Sequence, residues 1–150
     1  MELKWLQPEG VQIFYSQIQP LLSMVCEELS DTAITEQGVL RMFYSGAWTC
    51  WLVLNEGKVV GVGATASYAD LKLRPVMDIK FFGGPGWFEW GPQALETLEH
   101  QAKENGIYSV EFEGRDGWTR VLKDYKRVRS VFKKVINDIP PPNVTDVGRA

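Results

Sequence analysis

The apolar residues of this chain change their repeat several times, and that change constrains the fold more than any single motif. Up to Ser45 they recur at helical spacing. Val11, Phe14, Tyr15 and Ile18 form one stripe behind Pro8, which suits a first helical position. Leu21, Leu22, Met24, Val25 and Leu29 continue it past Pro20, which should kink the helix or open a second one. After Ser30-Asp31-Thr32 a shorter helix is expected, with Thr35 as N-cap and Gly46 as its C-terminal glycine. Gly38 inside it costs about 1 kcal/mol relative to alanine.

From Trp48 the pattern is that of strands. Residues 48–54 are a dense aromatic and aliphatic run, Asn55-Glu56-Gly57 is a turn signal, and 58–66 is a second run rich in Val and Gly. Together they predict a β-hairpin. A connection over 70–75 leads to a third strand, 76–82. Its apolar Val76, Ile79 and Phe81 break strict alternation, so it is either buried on both faces or bulged. Gly83-Gly84-Pro85-Gly86 ends that strand and Trp87-Phe88-Glu89-Trp90 reads as loop. A helix is expected over 91–105, with Ala94, Leu95, Leu98 and Ala102 on one face. Then come a strand over 107–112, a turn at Gly114-Arg115-Asp116-Gly117, a short helix over 118–123 and an alternating last strand over 127–136. The tail from Ile139 is rich in proline, polar and extended, and reads as polyproline-like or disordered.

Strands interleaved with helices predict a single α/β (α+β) domain over 1–138, a mixed twisted sheet with helices on both faces, followed by a tail over 139–150. A chain of 150 residues suits one domain, and 45% hydrophobic with 23% charged residues is a globular balance. No apolar run approaches the roughly 20 residues of a membrane helix. No basic-then-apolar leader opens the chain, so neither a membrane partner nor secretion by a signal peptide is expected.

Composition also narrows the chemistry. Cys26 and Cys50 form no CxxC pair, and His100 is the one histidine, so no metal site is expected. The same shortage argues against a Ser-His or Cys-His hydrolase. Both cysteines lie in apolar segments and read as reduced core residues. His100 lies off the apolar stripe of its helix and reads as a surface residue. Residues 115–134 hold eight basic residues against Asp116 and Asp124, a net +6, so the rest of the chain totals −9 to give −3 overall. A basic C-terminal lobe on an acidic body suits nucleic acid, a phosphorylated ligand, an acidic protein surface, or solvent alone. No nucleic-acid motif or base-stacking platform accompanies it, so sequence-specific DNA reading is not expected.

The strand, glycine loop and helix around Gly83–Gly86 form a candidate phosphate cradle. Free backbone N–H groups and the helix dipole both favour an anion there. A sharp turn without a ligand gives the same pattern. Trp87 and Trp90 could cap a ligand cleft, face a partner protein or fold onto the core. Arg115 beside Trp118 could brace the fold or bind a ligand.

Several segments carry a resemblance. They are Ser45-Gly46-Ala47-Trp48, Trp51-Leu52-Val53, Lys58-Val59-Val60-Gly61 and Phe82-Gly83-Gly84. The most specific is the string from Glu113-Gly114-Arg115-Asp116-Gly117-Trp118 to Thr119-Arg120-Val121-Leu122. In this order they resemble the GNAT N-acetyltransferase fold, and more narrowly the GNAT-like proteins encoded by bacteriophages. The resemblance implies acetyl-CoA as cofactor, lying where strand 76–82 splays from strand 107–112. Its phosphates would rest on Phe82, Gly83, Gly84, Gly86 and Gly91. In the enzymes of that fold a basic or Gln residue opens the loop and a Tyr on the last helix protonates the leaving thiolate. Here the loop holds no Arg or Lys, Glu89 adds negative charge, Pro85 and Pro92 each remove an amide, and the Tyr position falls at Val121 or Leu122 with Tyr125 out of register. Glu111 and Glu113 lie on the strand that carries a general base, on one face together, and neither is singled out. The catalytic residues are thus left unassigned.

Two functions follow as expectations. One is an accessory protein of the virion or its assembly, on a degenerate GNAT scaffold. Its partners would be other phage structural proteins or further copies of itself, its location the host cytoplasm or the virion. Trp87, Trp90, Arg115 and Trp118 would be its contact residues. The other is an active acetyl-CoA-dependent N-acyltransferase of an amine acceptor.

Overall fold

The structure is a computed structural model and describes residues 1–29, 34–113, 122, 124–129 and 131–142. Among these residues five strands form one sheet in the order β1-β2-β3-β4-β5. They are β1 (Glu2–Leu6), β2 (Thr49–Asn55), β3 (Lys58–Ala69), β4 (Pro75–Gly83) and β5 (Ser109–Phe112). The first four run antiparallel in succession and β5 adds parallel to β4. Helices α1 (Pro8–Ile13), α2 (Tyr15–Glu28) and α3 (Glu36–Ser45) cover one face, and α4 (Trp87–Glu104) covers the other. A parallel neighbour needs a crossover between its strands, and α4 supplies it.

Both faces of the sheet are buried, and this accounts for the apolar run around β2. Cys50 and Leu52 point to the side of α1–α3, where they meet Ile18, Leu22, Val39 and Phe43. Trp51 and Val53 point to α4, where they meet Trp90, Ala94 and Leu98. A strand covered on both sides has no solvent face to hold polar residues, so it reads as a continuous run. Trp51 Nε1 donates to Thr65 Oγ1 at 2.8 Å, which satisfies the two polar groups of that layer together.

Several elements differ from the sequence reading. β1 is a strand where none was expected. Its five residues pair with β2, from Glu2↔Leu54 to Leu6↔Cys50. Leu3 and Leu6 are buried on opposite faces, a pattern too short to show a period. The break between the first two helices falls at Phe14, with φ −97° and ψ 11°, and Pro20 sits inside α2. α4 begins at Trp87, four residues before Gly91. Gly91-Pro92 looks like a helix start, but the burial of Trp90 outweighs it. Trp90 lies in the core beneath β3, and its Nε1 donates to Pro85 O at 2.9 Å. The expected last strand, 127–136, forms no ladder among its described residues, and the helix expected over 118–123 lies almost wholly outside them. β5, at four residues, offers too short a template to hold a ten-residue neighbour by backbone bonds alone.

Other expectations hold. Thr35 caps α3, its Oγ1 accepting from Gly38 N at 3.0 Å. Gly46 ends that helix in the left-handed region at φ +80°. The hairpin and β4 stand where the pattern put them. β4 is both buried on two faces and bulged. The register shifts from Thr65↔Ile79 to Ala64↔Phe81, which leaves Lys80 as the extra residue. Met77 and Ile79 therefore face α4, whereas Phe81 faces α1–α3.

Candidate functional site

The site begins where β4 and β5 part. Their ladder runs from Val76↔Ser109 to Ile79↔Phe112 and stops. β4 continues through Lys80–Gly83 bonded only to β3 among the described residues. The backbone of the last four residues of β4 thus has one free edge, opened by the bulge at Lys80. A recess lined by Asp78, Ile79, Lys80 and Glu113 lies at this fork.

The glycine turn sits at the far end of that edge. Trp87 N donates to Gly84 O at 3.2 Å, and Glu89 N and Trp90 N donate to Gly86 O at 2.9 and 3.3 Å. The amides of Gly86 and Phe88 make no such bond among the described residues. They are the donors at the N-terminus of α4 that an anion would meet.

The five residues expected to hold the cofactor separate into distinct roles. A Cβ on Gly83 would come within 2.5 Å of Val25 Cγ2, and one on Gly84 within 2.3 Å of Val60 O. Those two glycines are demanded by packing on α2 and β3. Phe82 lies over Gly63, where a Cβ would meet its ring at 2.2 Å. Gly91 is inside α4, where its missing side chain makes room for the Trp87 ring; it does not belong to the loop. Gly86 alone is open. It has φ +71° and its nearest neighbour would be the Trp90 ring at 3.9 Å.

Among the expected contact residues, Trp90 is overturned as a surface group, being 8% exposed in the core. It packs against Gly61 of β3, away from the β4–β5 fork. Trp87 is half-buried and stacks on exposed Phe88, with ring centroids 4.3 Å apart. Arg115 and Trp118 lie outside the described residues.

Sequence reasoning named Glu111 and Glu113 but missed Asp78, Lys80 and Tyr68 around them. Lys80 Nζ pairs with Asp78 Oδ2 at 2.7 Å and lies 5.5 Å from the centre of the Trp48 ring. Glu111, opposite Asp78, accepts from Tyr68 Oη and from Arg129 Nη2, the latter at 2.7 Å. Arg129 first, and Tyr68 second, hold its carboxyl below the usual range. Tyr68 is pushed up by the same bond. The structure thus separates the two carboxylates: Glu111 is committed to partners and Glu113 borders the recess. Polar Asp78 and Lys80 in an otherwise apolar strand were the available signal. Tyr125, already out of register, donates to Glu99 Oε2 at 2.9 Å, and burial followed by that carboxylate raises its pKa.

The remaining titratable candidates are quiet. Burial pushes the Cys50 thiol up to about 12, and burial with nearby Glu36 pushes Cys26 up to about 11. His100 is exposed and meets Glu104 at 3.1 Å. Among the described residues no three His, Cys, Asp or Glu side chains are grouped to hold a metal. Nor is any helix there long and apolar enough to cross a membrane.

No family model and no curated protein matches the sequence. Solved structures do match its shape, several acetyltransferases among them. An aminoglycoside acetyltransferase from an uncultured soil metagenomic sample superposes with TM-score 0.62 at 14% identity, over 89% of this chain and 95% of that one. A probable acetyltransferase gives TM-score 0.65 at 12% identity, over 95% and 100%. A predicted acetyltransferase from Clostridium acetobutylicum, solved with acetyl-CoA, gives 0.56 at 13% identity, over 91% and 95%. The likeness spans nearly the whole of each chain. This protein has a GNAT-like fold, as a single mixed α/β domain.

Proposed function

We propose that the protein is an acyl-CoA-dependent N-acyltransferase acting on an amine. The observation that carries this reading is the fork itself. Among the described residues, β4 leaves β5 after Ile79, keeps a free backbone edge to Gly83 and ends beside unbonded amides at the start of α4. Trp90, which could have filled it, is turned under β3 instead, and Phe88 points to solvent. Shape-matched acetyltransferases support the reading at the level of fold.

The residues fit an acyl-CoA in part. The free edge of β4 suits an amide-bearing arm, and the Gly86 and Phe88 amides suit phosphate oxygens, without a basic side chain to help. Acetyl-CoA, when bound, supplies an acyl group on a thioester. A β4 backbone N–H on the free edge would polarise the thioester carbonyl as negative charge develops on its oxygen. Glu113, at the recess, would accept the proton the amine gives up, and the CoA sulfur, expelled as a thiolate, would take its proton from solvent. Asp78 is neutralised by Lys80 and would position the amine.

Titration calorimetry of acetyl-CoA into the protein tests this. Saturable micromolar binding is expected. Gly86→Asp, which tolerates the left-handed conformation but places a carboxylate at the amides, should weaken it at least about tenfold while the melting temperature holds. No heat at millimolar ligand would refute the reading.

A second reading is an accessory protein of a bacteriophage particle or its assembly, keeping the fold without the reaction. The turn at Gly84–Gly86 favours one part of it, the fold kept without the reaction. It has no cationic side chain, and exposed Glu89 follows in the first turn of α4. Copurification with particles or their precursors tests it, and absence from both would sink it.

A further inference from the structure

The recess at the fork already holds an amine. Among the described residues that line it, Lys80 is the lysine. Its Nζ lies 2.7 Å from Asp78 Oδ2 and 5.5 Å from the centre of the Trp48 ring, and its side chain is 32% exposed. A carboxylate and an aromatic face together hold a long side chain that would otherwise sample many rotamers. The backbone adds to this. Lys80 is the extra residue of the β4 bulge and the first past the last β4–β5 pair, Ile79↔Phe112. A bulge re-aims the side chain it carries, and this one does so at the mouth of the fork. Other described lysines lie elsewhere. Lys4 rests over the Phe14 ring, Lys58 opens β3 and Lys72 lies in the 70–74 connection, the last two exposed.

We propose that Lys80 is a self-acylation site, its Nζ taking the acyl group of an acyl-CoA thioester bound at the fork. The role rests on the acyltransferase reading, because donor and proton acceptor are those of that reaction. Asp78 would position an acceptor amine, and the amine it holds in this structure is that of Lys80. The ammonium gives one proton to Glu113, which passes it to solvent. The nitrogen then bonds to the acyl carbon as the C–S bond breaks. Its second proton leaves to solvent, and the CoA thiolate takes one up. An ammonium and a thioester thus become an amide, a thiol and one free proton. Holding donor and amine side by side replaces a bimolecular encounter, and this sets Lys80 apart from lysines in open solvent. The product amide carries no charge for Asp78 to pair with and has no further amine to offer, so transfer ends at one group per chain.

Intact mass and peptide mapping of the full chain incubated with acetyl-CoA test the proposal. One acetyl group per chain is expected, on Lys80, gained at least about tenfold faster than at exposed Lys58 or Lys72. Lys80→Arg keeps a cation for Asp78 and should leave the chain unacetylated over the same time, while calorimetry still shows acetyl-CoA binding. A second measurement needs no CoA. A small N-hydroxysuccinimide ester of acetic acid should label Lys58 and Lys72 ahead of Lys80, because the pair with Asp78 holds that amine as its ammonium. Binding of acetyl-CoA without modification overturns the proposal and leaves the acyltransferase reading standing. So does modification spread evenly over the exposed lysines, or the same preference for Lys80 from the ester. No binding at all overturns both.

Discussion

Glycine does two different jobs in this chain, and the difference shows only when each neighbour is named. Gly63 is in an ordinary strand, yet a Cβ there would enter the Phe82 ring at 2.2 Å. Gly63→Ala should therefore destabilise by about 1–3 kcal/mol through forced repacking, measured by urea unfolding. Gly86 has open space and is constrained by its positive φ instead. A third residue, Glu111, ties the fold to pH. Its carboxyl titrates below the ordinary value near 4.3 because Arg129 and Tyr68 favour the charged form. Its contribution is thus complete above that ordinary value and is lost as pH falls through the lower native one. Glu111→Gln should lower the melting temperature at neutral pH, and the gap from the parent should close on acidification. A gap independent of pH would refute the assignment.

At the scale of elements, α3 shows local signals agreeing with tertiary ones. Thr35 caps it, Gly46 releases it, and Val39 and Phe43 anchor it to the sheet. Thr35→Ala should cost about 1 kcal/mol in a chemical denaturation experiment, because the Gly38 amide loses its acceptor. α4 shows the opposite. Its local start signal, Gly91-Pro92, is overruled by Trp90, whose burial gains more than placing Pro92 in the first turn would. β4 lies between these cases. Its broken alternation announced a bulge, but only the ladder with β3 shows that Lys80 is the extra residue and that the fork opens just beyond it.

The whole molecule is a sheet with two cores, and the proposed site lies where the strands of that sheet diverge. A ligand bound there to the native state alone stabilises it by mass action. At about 100 times its dissociation constant acetyl-CoA should add about 2.7 kcal/mol, or roughly 5–10 °C in melting temperature for a domain of this size. An unchanged melting temperature would agree with an absence of calorimetric heat and would remove the acyltransferase reading.

The fold class, the hairpin, the cap of α3 and the glycine turn were legible in the chain alone, because period, turn chemistry and capping act over a few neighbouring residues. β1 was not, since five residues are too few to show a period and its partner lies some fifty positions away. The core position of Trp90, the packing role of Gly83 and Gly84, and the split between Glu111 and Glu113 were not legible either. Each depends on contacts between residues far apart in the chain. Local spacing says which residues can face one way. Which of them meet a neighbour, and so become core, brace or site, was decided by the tertiary packing of two helical layers on one twisted sheet.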